Sequence, residues 1–255
     1  MRAPILEMEV IRPQWPVPPR VRAAFTLRGG GVSVRPYDSL NLGEHTGDEP
    51  RAVAQNRQRI REGLGLPAEP SWLKQLHGAR TVVLEPGAVR EPAAAAPEAD
   101  AATTRCAAVV CAVLVADCLP VLLAARDGSV IAAAHAGWRG LAAGVLESAV
   151  AAMGPAPAGL VAWLGPGIGP GHFEVGEEVL AAFTATDAMA RGAFSRNARG
   201  RWQCDLAGLA RRRLQALGVT GIYGGEWCTF ADPARFFSYR RDGRCGRMAA
   251  LIWLD

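Results

Sequence analysis

Two short segments in the middle of the chain carry residue types that can bind a metal ion or act in catalysis. Cys118 lies in residues 116–120 (ADCLP), and His135 opens residues 135–140 (HAGWRG). Upstream, His77 in the sequence QLHG offers a second imidazole. Each of the three is predicted at a junction between a strand and a loop. One thiolate and two imidazoles can hold a zinc ion and leave its fourth position open, as in a catalytic zinc site.

The same residues permit other interpretations. Cys118 could instead act as a thiolate nucleophile with a histidine as its base, the arrangement of cysteine hydrolases. Taken singly, a cysteine is most often a small buried apolar residue, and a histidine at the end of an apolar strand is most often structural. The three together favour a functional site. The residue pattern leaves the choice between metal ligand and nucleophile open for Cys118.

Two arginines are candidates for holding an anionic substrate. Arg139 lies in the second segment, and Arg240 lies in the aromatic-rich residues 236–243. The guanidinium fork matches the oxygen geometry of phosphate, whereas the alternative for either arginine is a surface salt bridge. Phe237 or Tyr239 could stack on a planar base.

A glycine-rich stretch at residues 165–171 could suggest a phosphate-binding loop. It matches neither a Walker A loop nor the GxGxxG fingerprint that opens a helix. We interpret it as a rigid turn that positions His172 and Glu174.

The surrounding elements mix strands and helices without strict βαβ alternation. Strands are predicted over residues 21–27, 72–77, 81–84, 107–115, 121–125, 129–134, 160–164, 222–223, 236–239 and 248–253. Helices are predicted over residues 51–62, 140–153, 175–184 and 205–217, with Asp48 capping the first. This order predicts an α+β fold, a single domain with mixed β-sheets flanked by helices. We expect residues 1–20 to be an N-terminal lead-in, residues 21–255 to be the domain itself and residues 90–97 to be a surface loop.

Composition excludes several classes of function. The chain has 255 residues, half of them apolar, and a net charge of +4 that is not concentrated in a basic tract, so we expect no nucleic-acid partner. No apolar run approaches the roughly 20 residues of a membrane helix, and we expect no membrane partner. Since no segment reads as a signal peptide, we expect a cytoplasmic protein whose six cysteines are reduced thiols.

Signatures along the chain resemble those of the YfiH/laccase-domain family. They occur in order at residues 25–28, 31–33, 39–43, 47–48, 56–57, 75–78, 116–120, 135–140, 165–170, 228–229 and 237–243. The resemblance spans roughly residues 21 to 253, and it departs at Cys245, where the family more often has threonine. It implies a single α+β domain related to cysteine-hydrolase-like folds. It also implies a metal or catalytic site built from His77, Cys118 and His135. We expect the metal to be zinc, with copper as the other candidate.

The resemblance implies three activities: polyphenol oxidation, editing of peptidoglycan precursors, and purine nucleoside phosphorolysis with adenosine deamination. Physical chemistry discriminates among them. A multicopper oxidase needs more imidazole ligands than the four histidines of this chain supply, so a copper-dependent polyphenol oxidase is disfavoured. Phosphorolysis of purine nucleosides suits arginines that hold phosphate, an aromatic surface and a zinc site. A zinc-bound hydroxide could also deaminate adenosine. Hydrolytic editing of misloaded peptidoglycan precursors is the enzyme alternative, and a non-catalytic metal-binding module is the least favoured.

We therefore expect a purine nucleoside phosphorylase that acts on adenosine, inosine and methylthioadenosine, with adenosine deaminase activity besides. Its partners are then small molecules, a purine nucleoside and phosphate. The predicted catalytic residues and the predicted metal ligands are the same set: His77, Cys118 and His135. The residues predicted to bind substrate are Asn41, Arg139 and Arg240.

Overall fold

The computed structural model describes residues 9–86 and 96–255, and this part of the chain contains strands in three β-sheets together with α-helices. The strands are β1 (Val10–Ile11), β2 (Val21–Thr26), β3 (Thr81–Val83), β4 (Ala101–Thr104), β5 (Val110–Val115), β6 (Leu119–Ala125), β7 (Ile131–Ala136), β8 (Leu160–Leu164), β9 (Glu174–Val175), β10 (Phe194–Arg196), β11 (Trp202–Cys204), β12 (Gly221–Gly224) and β13 (Met248–Leu254). The helices are α1 (Pro50–Leu64), α2 (Trp138–Ala143), α3 (Val145–Met153), α4 (Glu177–Thr184), α5 (Leu206–Ala216) and α6 (Tyr239–Asp242).

Two large sheets form the centre of the domain. One is antiparallel with the order β1-β2-β13-β5, and the other has the order β12-β8-β6-β7-β4-β3. In the second sheet the pairs β12–β8 and β3–β4 are parallel, whereas β6 pairs antiparallel with both β7 and β8. A small antiparallel sheet joins β10, β11 and β9. The predicted α+β fold, a single domain with mixed sheets flanked by helices, is confirmed.

The two large sheets pack face to face and helices cover their outer faces. Val113 of β5 and Leu122 of β6 belong to one apolar cluster between the sheets. Their neighbours point the other way: Leu114 packs in the cluster that includes Ile60 of α1, and Leu123 packs in the cluster beneath α3, α4 and α5. Because both faces of β5 and β6 are covered, these strands are apolar at every position, and this is why the sequence predicted them.

Two predicted strands are wrong. Residues 72–77 form no regular strand: Lys74 makes an isolated bridge to Glu98, and Ser71, just before the range, makes another to Cys111. Gln75 explains the irregularity, since its side chain rather than its backbone bonds both the N–H and the C=O of Leu114.

Residues 236–239 likewise form no strand, because Phe236 and Phe237 are buried as side-chain anchors and α6 starts at Tyr239. Ser238 caps that helix by accepting a hydrogen bond from Arg241 N.

Helix ends also differ from the predictions. Asp48 does not cap α1; Glu49 stands at the cap position, and Asp48 accepts a hydrogen bond from Asn41 instead. The predicted helix over 140–153 is two helices, α2 and α3, because Gly144 between them adopts a left-handed φ of 95°.

The short strands β9, β10 and β11 were not predicted, since a segment of two or three residues is too short to show a periodic pattern.

The described residues bear on two further expectations. Within residues 9–86 and 96–255, no helix combines the length and the apolar character needed to cross a membrane. In the predicted lead-in, Val10–Ile11 pairs with β2 as an edge strand. Most of the predicted surface loop at 90–97 lies outside the described residues.

Candidate metal and active site

One edge of the six-stranded sheet brings the predicted ligands together. Cys118 immediately precedes β6, and His135 is the penultimate residue of β7, paired with Pro120. Because β6 and β7 are antiparallel, the start of one lies beside the end of the other. β4, which starts at Ala101, pairs with Ala134 at the same edge, and the turn that carries His77 leads into β3.

His77, Cys118 and His135 form one compact group. The nearest ligand atoms of the three residues lie within 4.8 Å of one another. Cys118 Sγ is 3.8 Å from His77 Nε2, and the two imidazole rings meet edge to face with centroids 4.8 Å apart. His135 is buried, Cys118 is half-buried and His77 is exposed, so the group is open to solvent on the His77 side.

A buried carboxylate supports both histidines. Asp100 Oδ1 lies 2.8 Å from His135 Nδ1, and the carboxylate also accepts hydrogen bonds from the backbone N–H groups of residues 76, 77 and 78. Burial raises the pKa of Asp100, but the hydrogen bonds from His135 and from the backbone outweigh it and hold the pKa below its ordinary value. Asp100 is therefore ionised at neutral pH.

Glycines let the chain approach the site closely. A Cβ on Gly137 would lie 2.8 Å from Cys118 Sγ and 3.2 Å from His77 Cδ2. A Cβ on Gly140 would lie 2.7 Å from the carbonyl oxygen of Gly78. The sequence following His135 thus packs directly against the other two ligands.

The thiol and the buried imidazole perturb each other strongly. Burial raises the pKa of Cys118, but attraction to the His135 imidazolium and hydrogen bonds from both histidines lower it to about 6. Burial lowers the pKa of His135, but the Cys118 thiolate and the Asp100 carboxylate raise it to about 9. In the metal-free protein the two groups therefore form a thiolate–imidazolium pair at neutral pH.

The donor set and its spacing fit a metal ion. Zinc bonds of about 2.3 Å to sulfur and about 2.0 Å to nitrogen place these two atoms about 3.5 Å apart in a tetrahedron, near the 3.8 Å between Cys118 Sγ and His77 Nε2. Asp100 supplies the carboxylate that commonly backs a metal-bound histidine. Two imidazoles and one thiolate suit zinc, and they also accept copper.

A second buried carboxylate ties the ligand turn to the C-terminal part of the chain. Asp117, which has a left-handed φ of 88°, accepts hydrogen bonds of 2.6 Å from Thr229 Oγ1 and 2.6 Å from the backbone N–H of Arg240. Since Asp117 is the residue before Cys118, this bond holds the backbone of Arg240 close to the ligand group.

Beside the ligands lies a cleft of about 250 Å³, whose lining includes Trp138, Phe173, Glu174, Arg201 and Arg240. Trp138 directly follows Gly137, and Arg240 is held by Asp117, so the cleft adjoins the group. Arg240 donates to the Glu174 carbonyl at 2.8 Å and lies over the Phe173 ring.

Arg139 and Asn41, the other predicted substrate residues, occupy different settings. Arg139 is exposed, and its guanidinium lies over the Trp138 ring, 4.5 Å from the centroid. Asn41 is fully buried; its side-chain oxygen accepts from Gly43 N and Arg247 N, and its nitrogen donates to Thr46 and Asp48. Arg240 thus lines the cleft, Arg139 is exposed against Trp138, and the side chain of Asn41 is engaged inside a folded turn.

The remaining candidate residues either follow the glycine-rich loop or belong to the aromatic segment. His172 Nδ1 lies 3.6 Å from Cys228 Sγ, and the Glu174 carboxylate bonds Asn197 and Arg199, so neither side chain joins the three ligands. Phe237 is buried in the core. Tyr239 is 61% exposed and so remains accessible to a ligand.

Asp100 and Asp117 were not predicted from the sequence as site residues. Both are single acids beside apolar strands, and their side-chain partners lie 22 to 35 residues away for Asp100 and 112 to 123 residues away for Asp117. The only available signal was position, since each precedes a strand or a ligand at the same sheet edge.

A larger cavity of about 420 Å³ lies among the helices, away from these residues. Its lining includes Glu147, Phe183, Asp187, Arg212 and Arg213, and the ion pairs Arg212–Asp187 and Arg213–Glu147 cross its wall. None of the three ligand residues contributes to it.

The fold and the site together define an α+β protein with a His/Cys/His group at one sheet edge. The chain belongs to the family described as multi-copper polyphenol oxidoreductase laccase, whose sequence model matches residues 22–255.

Similar proteins share nearly the whole length of the chain. It is 52% identical to purine nucleoside phosphorylase PA4543 of Pseudomonas aeruginosa, over 96% of this chain and 98% of that one. It is 50% identical to purine nucleoside phosphorylase YfiH of Escherichia coli, over 96% and 99% of the two chains. Among solved structures, protein NMB0706 of Neisseria meningitidis superposes with a TM-score of 0.90 at 46% identity, covering 96% of this chain and 99% of the other. YlmD of Geobacillus stearothermophilus does so with a TM-score of 0.85 at 33% identity, covering 92% of each chain.

Proposed function

We propose that this chain is a purine nucleoside phosphorylase that works at the site of His77, Cys118 and His135 with a bound zinc ion. The observation that carries the proposal is the compact two-nitrogen, one-sulfur group beside an arginine-bearing cleft. Relatives named purine nucleoside phosphorylase are about half identical in sequence over almost the full chain, which supports the same activity here.

His77, Cys118 and His135 would hold the zinc ion and leave one position open. When bound, zinc supplies Lewis acidity and lowers the pKa of a coordinated water. Asp100 keeps the His135 ring in place, and Gly137 leaves room for the ligand atoms to converge.

Phosphorolysis requires an anion beside the sugar and a purine that can leave. A phosphate oxygen forms a bond to the anomeric carbon while the carbon–nitrogen bond to the purine breaks and its electron pair goes to the base. We assign the phosphate to Arg240, which lines the cleft, and to Arg139, whose guanidinium lies over the ring of Trp138 in the cleft wall. The aromatic rings of Trp138 and Phe173 offer apolar surface for the base. Asn41 would contribute by shaping the turn that it holds rather than through a free polar atom.

We further propose adenosine deaminase activity at the same site. Deamination adds water at the purine carbon that bears the amino group, and the carbon–nitrogen bond to that group then breaks to release ammonia. Zinc held by the three residues would activate the water.

The direct test is chromatography of adenosine incubated with phosphate and the zinc-loaded protein. We expect adenine with ribose phosphate, or inosine and hypoxanthine. Cys118→Ala should lower the rate at least about 100-fold while the protein stays folded, because it removes a ligand but little buried volume. Cys106→Ala is the matched control, since Cys106 is half-buried and contacts Glu85 rather than the site.

Two further results test the role of Arg240 and the activity itself. Arg240→Ala should raise the KM for phosphate more than the KM for adenosine. Unchanged adenosine in a folded, zinc-loaded sample would refute the phosphorylase proposal.

Hydrolysis of peptidoglycan precursors is the second candidate, because the thiolate–imidazolium pair of Cys118 and His135 also suits a cysteine nucleophile. Metal removal separates the two. A chelator should abolish nucleoside phosphorolysis, and added zinc should restore it, if zinc is the cofactor. A nucleophilic Cys118 would instead hydrolyse an amide substrate in the chelated protein and lose that activity when zinc is added.

A further inference from the structure

We propose that Asp100 is the positioning residue of this site: one carboxylate sets both imidazole ligands, which lie on separate elements. The proposal rests on the metal-dependent function proposed above. Asp100 is 1% exposed and directly precedes β4, between the turn that carries His77 and the strand that carries His135.

Asp100 determines which nitrogen of His135 faces the site. Both carboxylate oxygens of Asp100 accept hydrogen bonds from backbone N–H groups, so His135 Nδ1, 2.8 Å from Asp100 Oδ1, must be the donor and carry a proton. The other nitrogen, Nε2, is then the atom available as a ligand, and the ring cannot rotate without losing a buried charged hydrogen bond. The backbone adds a second constraint, because His135 N donates to the Asp100 carbonyl at 2.7 Å.

Asp100 also fixes the turn that carries His77. Its Oδ1 accepts from His77 N at 2.9 Å, and its Oδ2 accepts from Leu76 N at 3.1 Å and from Gly78 N at 2.7 Å. Three consecutive N–H groups point at one carboxylate, and His77 adopts a left-handed φ of 60°. A residue with a side chain rarely adopts this conformation, and the three hydrogen bonds to the carboxylate stabilise it.

An amide of the same shape cannot make the same contacts. Both carboxylate oxygens accept from N–H groups, so Asp100→Asn must direct its NH₂ either at His135 Nδ1 and His77 N or at Leu76 N and Gly78 N. In either orientation, donors face donors and at least one ligand loses its support. The variant therefore tests positioning with almost no change of volume.

The matched control is Thr103→Val, on the same strand. Thr103 is buried, and its Oγ1 donates to the Ile131 carbonyl at 2.8 Å, so the variant loses a hydrogen bond between β4 and β7 without touching either histidine. It reports how far a general loosening of this strand pair affects the site.

The experiment measures zinc affinity by competition with a chromophoric chelator, and the His135 Nδ1 proton by ¹⁵N NMR of the metal-free protein. We expect Asp100→Asn to bind zinc about 10- to 100-fold more weakly, the usual effect of losing a carboxylate behind a metal-bound histidine. Thr103→Val should bind zinc within about twofold of the wild type. The wild type should show a slowly exchanging Nδ1 proton that is lost in Asp100→Asn.

Three results would overturn the inference: zinc affinity unchanged in Asp100→Asn, an equal loss in Thr103→Val, or no hydrogen-bonded Nδ1 proton in the wild type. The last measurement needs no variant, so it decides the matter even where Asp100→Asn does not fold. A protein that behaves as expected in these measurements but leaves adenosine unchanged would refute the proposed phosphorylase activity and leave the positioning by Asp100 in place.

Discussion

At the scale of single residues, the site depends on buried charges that are stabilised by neighbouring groups of opposite charge. The pKa of Cys118 is about 6 and that of His135 is about 9 because each residue stabilises the charged form of the other. A metal ion requires the thiolate but also a neutral imidazole. Metal uptake at neutral pH should therefore release a proton from His135 rather than from Cys118.

The low pKa of Cys118 predicts an unusual pH profile for alkylation of the metal-free protein. A lowered pKa keeps the thiolate present above it, and the thiolate fraction falls only as the pH falls through about 6. The rate of alkylation of Cys118 should rise from about pH 5 and level off by about pH 7 to 8, as measured by mass spectrometry of the labelled peptide. A rate that still rises about tenfold per unit near pH 8 would contradict the prediction.

Other cysteines of the chain serve as internal comparators in the same experiment. Burial raises the pKa of Cys111 to about 12, and it raises that of Cys204, with repulsion from Asp205, to about 12. We expect neither to be labelled at any pH at which the protein stays folded.

At the scale of elements, the sequence predicted the strands that position Cys118 and His135 because those strands are apolar throughout. It also predicted that both residues lie at strand ends, and an antiparallel pairing brings such ends together. The turn around His77 could not be predicted as such. Its shape is determined by Gln75 and Asp100, which contact residues 39 and 22 to 24 positions away. The periodicity of apolar residues along a strand or helix cannot reveal contacts that single side chains make with residues so far away in the sequence.

The start of α2 makes the site sensitive to one methyl group. Gly137 has an extended backbone that any residue can adopt, so Gly137→Ala would introduce no backbone strain. Its Cβ would nevertheless lie 2.8 Å from Cys118 Sγ, so the thiol or the helix must move. We expect zinc affinity and phosphorolysis to fall by at least about tenfold, with a change in Tm of only a few degrees.

Gly159→Ala is the matched control for this variant, because a Cβ there meets nothing within 4 Å. Chelator competition and a thermal melt of both variants are sufficient. Wild-type zinc affinity in Gly137→Ala would show that the close approach of α2 does not limit the site.

At the scale of the whole molecule, the packed sheets and helices provide the stability, whereas the candidate site lies at one edge of the six-stranded sheet. β6 is buried on both faces, with Leu122 among the residues between the two sheets and Leu123 among those beneath the helices. The same strand begins directly after Cys118. The ligands are held by local hydrogen bonds and close backbone contacts, so a weaker core should leave their arrangement intact as long as the protein is folded.

Substitutions in the middle of β6 test this separation of stability from chemistry. Leu122→Ala and Leu123→Ala should each lower the free energy of unfolding by about 2–5 kcal/mol, because each opens a cavity in one of the two core layers. Val83→Ala, at a position 57% exposed, should change it by less than about 0.5 kcal/mol. Urea denaturation checks these values, and chelator competition well below the melting temperature should give zinc affinities within about twofold of the wild type. A loss of zinc affinity that follows the loss of stability would mean that the sheet edge depends on the packing of the whole core rather than on Asp100, Gly137 and the strand ends.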